Sequence, residues 1–388
     1  MSPPQPSSLK PHASSLSLDR LIARRMKRID ASGIRKVFDL AATMSNPLDL
    51  SIGQPDFDVS DRVKDAAVDA IRKGFNRYTQ TQGIAELHER YRAFLKERKG
   101  YDPEAILVTG GVSGALLLAL LALIDPGDEV VFPDPYFVGY KHLVNLVGGV
   151  PVTLDTYDTD FQLDPARLEE KLSPASKVLL LNSPSNPTGA VMRADVVKAV
   201  ADIARRRGLF VISDEIYDGF VYLDETIPSI ATLYEHTLQV GGLSKSHAFT
   251  GWRLGFACGP NALITEMAKI QQYTFVCAPS PVQKAAVVAL DVDASDHFAD
   301  YRRKRDLIYD ALKDKFRVVK PEGAFYIFPA VPPGKGSDQD FVVRAIRNNV
   351  LVIPGSVFSE RNTHFRIAYA TSDETLLRAA QILNSLTS

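Results

Sequence analysis

From about residue 100 onward the hydrophobic positions of this chain change period again and again. Short apolar runs rich in β-branched residues end in small or polar residues, and longer stretches of helical spacing follow them. The runs at 106–109, 129–133, 150–154, 178–182, 209–213, 238–241 and 254–258 read as strands, and 112–124, 136–148, 191–206 and 261–274 as helices. That alternation predicts an α/β fold with a large domain built on a mainly parallel sheet. The texture changes at 294–316, a long charged amphipathic stretch. Beyond it, strand-like runs at 325–328, 350–353 and 364–369 stand isolated between helices, which predicts a smaller α+β domain. We divide the chain into a tail (1–18), an arm or part of the small domain (19–60), a large domain (61–285) and a small C-terminal domain (286–388). The sequence leaves open whether 19–60 extends the small domain or forms an arm.

Composition narrows the function. Forty-five basic and 46 acidic residues among 388 are mixed along the chain. No electrostatic footprint for nucleic acid or an anionic membrane results, so small molecules or another subunit are the expected partners. The most apolar run, 114–124, is too short to span a bilayer and ends at the Asp125-Pro126-Gly127 turn, so it reads as a buried helix. Residues 1–18, rich in Pro and Ser, hold no apolar block of the kind a secretory signal needs and read as a disordered tail. The two cysteines, Cys258 and Cys277, have no metal-ligand spacing and fit a reducing compartment, the cytoplasm.

In an open parallel sheet, ligands sit beyond the carboxyl ends of the strands, where loops and helix N-termini converge. Four groups stand at such ends: Gly110-Gly111-Val112-Ser113-Gly114, Asn186-Pro187-Thr188-Gly189, Asp214-Glu215-Ile216-Tyr217 and Ser244-Lys245. Taken singly each has a plain explanation. The Gly-rich turn lacks the G-x-G-x-x-G order of a dinucleotide loop, although the helix it opens would suit a phosphate. A lone Asp after a strand is commonly a helix cap, and most lysines are surface residues. Their joint placement at one rim is what points to chemistry.

The stretch Ser244-Lys245-Ser246-His247-Ala248-Phe249-Thr250-Gly251-Trp252-Arg253-Leu254-Gly255 closely resembles the fold-type I pyridoxal-phosphate aminotransferases of class I/II. The resemblance runs from about Ile52 to the C-terminus. Its motifs keep the family's order: Ile52-Gly53-Gln54-Pro55-Asp56-Phe57, Tyr78 with Gly83, Pro135-Tyr136-Phe137, Asn186-Pro187-Thr188-Gly189, Asp214 to Tyr217, the lysine motif and Arg366. It implies pyridoxal 5'-phosphate held by Lys245 as a Schiff base. Asp214 would support the ring nitrogen, and Asn186 and Tyr217 would bond the ring oxygen, with Phe137 stacked on the ring face. The phosphate would be held by Gly111, Val112, Ser244 and Arg253, and by Tyr78 of a neighbouring subunit, making a homodimer. Arg366, with Gly53 and Asn186 beside it, would clamp the α-carboxylate of an amino acid or 2-oxo acid.

Elementary chemistry supports these residue types. An amine forms an imine only when unprotonated, so Lys245 needs burial or nearby positive charge to lower its pKa. Freed from the cofactor, it would move a proton at the α-carbon. The same set also serves C–S lyases and decarboxylating synthases, so the resemblance fixes the cofactor more narrowly than the reaction. A non-catalytic domain that senses the cofactor is a rival of another class, though nothing before residue 40 is large or basic enough to be a DNA-binding module. One departure bears on substrate. In an aspartate-using branch of the family a lysine directly follows the Gly-Gly pair, whereas this chain has Val112, leaving Arg24, Lys27 or Arg35 of the arm as alternative cations.

Overall fold

The computed structural model describes residues 20–30 and 44–387. The tail at 1–18 and Arg35 lie outside the described residues. Seven strands form the principal sheet: β2 (Ala105–Thr109), β3 (Glu129–Asp134), β4 (Val150–Asp155), β5 (Ser176–Asn182), β6 (Phe210–Asp214), β7 (Thr237–Gly242) and β8 (Gly255–Gly259). Their order is β2-β8-β7-β6-β5-β3-β4, and every pair is parallel except those made by β8, which runs against both neighbours. The antiparallel insertion has a topological cause. No α-helix lies between β7 and β8, so the chain cannot make the crossover that a parallel pair requires.

Alternating side chains bind this sheet to helices on both faces. Val178 and Leu180 of β5 join one buried cluster, with Leu116, Leu120 and Met267, while Leu179 and Leu181 join another, with Val197, Val200 and Ile203. Helices α3 (Val112–Leu123) and α7 (Asn261–Thr274) cover the first face, and α6 (Ala194–Arg207) covers the second. The apolar run read as a buried helix is α3, with Ala115, Leu116, Leu118, Ala119 and Leu120 all inside. Each buried leucine contributes about 1.5–3 kcal/mol. Ahead of the sheet, α1 (Asp61–Arg72) and α2 (Ala85–Lys99) pack with α8 (Ser280–Ala289) in a third cluster. Two further helices, α4 (Gly139–Val147) and α5 (Pro165–Lys171), connect strands of this sheet.

The C-terminal layer contains α9 (Ser295–Leu312), α10 (Asp338–Arg347) and α11 (Asp373–Ser385). An antiparallel sheet in the order β11-β12-β9 lies among them, from Ile353–Pro354, Phe365–Ala368 and Tyr326–Ile327. Strand β1 (Leu48–Asp49) pairs in parallel with β10 (Val350–Leu351), and Leu50 bonds Leu351 and Ala368 through its backbone. The chain N-terminal to the large sheet is thereby anchored on the C-terminal layer, and residues 51–53 are led directly to the rim of the sheet. Arg24 and Lys27 sit exposed on a short 3-10 turn (Arg24–Arg28) whose Arg28 carbonyl accepts from Asn145 of α4. Among the described residues no helix is long and apolar enough to cross a membrane.

Candidate active site

Asp214 is the last residue of β6, in register with Asn182 on β5 and Val240 on β7, so the sheet itself sets its carboxylate at the rim. Oδ2 accepts from the Tyr140 hydroxyl at 2.8 Å, and Oδ1 accepts from the Ile216 N–H at 3.2 Å. Burial pushes its pKa up to about 6, against the pull of those two donors. The adjacent Glu215 adds to the rise by like-charge repulsion, while its own carboxylate is paired with Lys99 at 2.7 Å and accepts from Ser213 and Ser229.

Lys245 follows β7 by three residues and donates to the Gly53 carbonyl at 2.5 Å. Burial lowers its pKa to about 8. Arg366 and Arg253 act in the same direction, and only Asp214 opposes them. The depression that the sequence chemistry required is therefore present, from the two causes it named.

Arg366 lies on β12 with only 1% of its surface exposed. Its guanidinium carbon lies over the rings of Tyr326 and Phe358, 4.7 and 4.6 Å from their centroids. Nη1 donates to Asn186 Oδ1 at 3.0 Å and Nη2 to the Ser51 carbonyl at 2.6 Å, while Nε has no partner. A buried donor without an acceptor costs about 1–3 kcal/mol.

On the opposite wall, Arg253 is held at φ 56° and donates to the Thr250 and Gly110 carbonyls at 3.1 and 3.3 Å. A non-glycine residue in that region stores about 1–2 kcal/mol of backbone strain, the kind of strain that clusters at working sites. Two glycines let this corner close up, Gly111 against Arg253 and Gly255 against the turn that starts α3. A Cβ on Gly111, itself at φ 79°, would come 2.6 Å from the guanidinium, and one on Gly255 would come 2.7 Å from the Val112 nitrogen. The N-terminus of α3 and the Arg253 fork are thus packed side by side, a donor set that suits a phosphate.

These walls enclose a cavity of about 360 Å³. Gly53, Asn186, Asp214, Tyr217, Lys245 and Arg366 line it, as do Val112, Phe137, Ser244 and Arg253. Gly111 stands immediately behind Arg253. Tyr78 is absent from this wall and is 82% exposed on the surface of the chain.

Residues 45–383 match the family described as aminotransferase class I and II. The chain belongs to this family. A probable aspartate aminotransferase of Methanocaldococcus jannaschii is 37% identical over 94% of this chain and 100% of its own length. Aromatic-amino-acid aminotransferase 2 of Thermococcus litoralis is 36% identical over 92% of this chain and 96% of its own. The solved structure of aspartate aminotransferase from Thermus thermophilus with maleate superposes with a TM-score of 0.90 at 34% identity, covering 94% of this chain and 99% of that one. The fold-type expectation is borne out, and this chain is an aminotransferase enzyme.

Three residues of this aminotransferase's site were missed in the sequence. Tyr140 lies behind Asp214, Asn182 receives the Asn186 N–H at 2.9 Å, and the Tyr326 hydroxyl meets that of Tyr217 at 2.8 Å. Tyr140 had left a signal: it stands three residues after Phe137, and a tyrosine on an otherwise apolar face needs a partner for its hydroxyl.

Proposed function

We propose that this cavity binds pyridoxal 5'-phosphate and that the enzyme moves an amino group between an L-amino acid and a 2-oxo acid. The observation that carries the reading is a buried amine, Lys245, its pKa lowered to about 8, in one cavity with a buried carboxylate and a buried guanidinium. The donor set fits the cofactor at each point. Arg253, Ser244 and the Gly111 and Val112 amides would hold its phosphate, and Asp214 would hold a proton at its ring nitrogen. Asn186 and Tyr217 would bond its ring oxygen, and Phe137 would wall its face. When bound, the cofactor supplies an electron sink that lets the α-hydrogen of an amino acid leave as a proton.

The chain's own groups do the rest. Arg366 binds the substrate α-carboxylate through a fork supported by the Tyr326 and Phe358 rings, which fixes the α-carbon before any bond breaks. Gly53 and Asn186 lie beside it. Lys245 is the nucleophile that first holds the cofactor and then the base that carries the proton from the α-carbon. A pKa near neutrality suits both duties. Tyr78, exposed on its own chain, would complete the phosphate site of a second copy, so the working unit is a homodimer. Free thiols at Cys258 and Cys277 support a reducing cytoplasm. Relatives named for aspartate and for aromatic amino acids make these the first donors to test.

The test is the visible spectrum of the purified protein with added cofactor. A yellow band is expected that is absent from Lys245→Ala and is bleached by particular amino acids, which names the donor class. Absence of a Lys245-dependent band would remove the reading, and a band that no amino acid bleaches would leave cofactor binding without transamination.

A further inference from the structure

Tyr326 opens β9, is buried, and touches three parts of the site at once. Its hydroxyl lies 2.8 Å from that of Tyr217, and the two rings meet edge to face at 5.5 Å. Its ring lies under the Arg366 guanidinium at 4.7 Å. The hydroxyl also occupies the space in front of Gly53, where a Cβ would approach it to 2.4 Å. Glycine at position 53 is therefore required by Tyr326, and not only by a ligand.

A phenol has one hydrogen to give and lone pairs to receive another. If Tyr217 gives its hydrogen to an acceptor in the cavity, its oxygen can accept only from a neighbour, and the group 2.8 Å away is the Tyr326 hydroxyl. Such a chain polarises its middle member and makes it a stronger donor. Both phenols are buried, so water does not replace the bond.

We propose that Tyr326 is a positioning residue: its hydroxyl donates to Tyr217 while its ring supports Arg366, so the group facing the cofactor ring and the group gripping the substrate carboxylate share one support. This rests on the assignment of Tyr217 to the cofactor's ring oxygen. A donor at that oxygen favours its ionised form, so weakening the donor raises the pH at which the visible band changes form.

The experiment is a pH titration of the visible band in the cofactor-loaded enzyme and in Tyr326→Phe, which keeps the ring under Arg366 and removes only the hydroxyl. The midpoint is expected to rise by roughly 0.5 pH unit. It should rise further in Tyr217→Phe, and the double variant should match Tyr217→Phe alone. Gly53→Ala, whose methyl would drive the Tyr326 hydroxyl off Tyr217, supplies an independent upward shift that Tyr326→Phe should abolish. An unchanged midpoint in Tyr326→Phe, or a further shift when it is added to Tyr217→Phe, would overturn the relay. A rise in KM for amino acids with no change in midpoint would also overturn it, leaving a support for Arg366 alone. Failure of the underlying cofactor reading looks different, since no Lys245-dependent band would then exist to titrate.

Discussion

Asp214 can hold a proton on another group only while it is itself ionised, and its surroundings leave that balance close. Burial raises its carboxyl to about 6, and the largest influence holding it down is the hydrogen bond from Tyr140. Tyr140→Phe removes that donor without changing the ring. The carboxyl pKa then rises further, so a larger fraction is protonated and neutral at pH 7. We expect the cofactor to bind about twofold more weakly to the variant at pH 7, because the loss of roughly 1.5 kcal/mol from a bond to the charged carboxylate leaves only about half of the carboxyls ionised there. The deficit should shrink at about pH 8.5, where both carboxyls are ionised, and grow at about pH 6.5. Equilibrium titration of the cofactor into the apo-protein at these pH values decides it; a deficit of the same size at every pH would reduce Tyr140 to a packing residue. At this scale the sequence was legible where chemistry needs a rare residue type at a fixed offset, as at Lys245 and Asp214. It was faint at Tyr140, whose offset from Phe137 was its one signal, and silent at Tyr326. Tyrosines in the runs Gly139-Tyr140-Lys141 and Phe325-Tyr326-Ile327 look like ordinary core residues until the partner of the hydroxyl is known.

Helix and strand ends carry the anion-binding wall, and here close backbone packing decides the geometry. Gly255 opens β8 directly beneath the turn that starts α3. A Cβ there would stand 2.6 Å from the Gly111 carbonyl carbon and 2.7 Å from the Val112 nitrogen, both backbone atoms that no rotamer can move aside. Gly255→Ala should cost about 1–3 kcal/mol in urea unfolding and weaken cofactor binding together, because the α3 amides are displaced from Arg253. Gly110→Ala, with nothing within 4 Å of the added atom, is the matched control and should stay within about 0.5 kcal/mol with binding intact. Equal effects of the two would show that the turn is not held by this packing. The strand pattern predicted each of the seven sheet strands to within two residues at either end, because a fully buried strand must be continuously apolar and bounded by turn residues. Direction was not in that pattern: an apolar run reads the same either way, and β8 is antiparallel because of its connection. Helices α1 and α2 also went unread. The i, i+4, i+8 spacing of Leu87, Tyr91 and Leu95 is regular, but it precedes the first strand of the sheet and so fell outside the alternation.

For the molecule as a whole, the site joins parts far apart in the chain, Gly53, Lys245 and Arg366, and no local pattern foretells that meeting. Tyr78 extends the question beyond one chain. It is carried on a loop that is firmly tied down, since Gln271 donates to the Thr81 carbonyl at 2.7 Å and Gln283 to the Thr79 hydroxyl at 3.1 Å. Yet Tyr78 is 82% exposed, and Tyr273 and Phe275, on the α7 end that anchors this loop, are 87% and 49% exposed. A rigid loop with its aromatic side chain held out among other exposed aromatics is arranged for a protein surface rather than for water. A second copy of this chain is the occupant we expect, giving a light-scattering mass of twice 42.6 kDa. Complementation is the sharper test. In Lys245→Ala homodimers no site has the amine, and in Tyr78→Ala homodimers no site has the tyrosine. A hybrid of the two variants has one site in which Lys245 faces an intact Tyr78 from the other chain. Random pairing makes half the dimers hybrids, so about one quarter of all sites should be native and the co-expressed mixture should recover about that share of wild-type activity. If each tyrosine served its own chain, the hybrid would contain no complete site, and activity would not exceed the mean of the two parents.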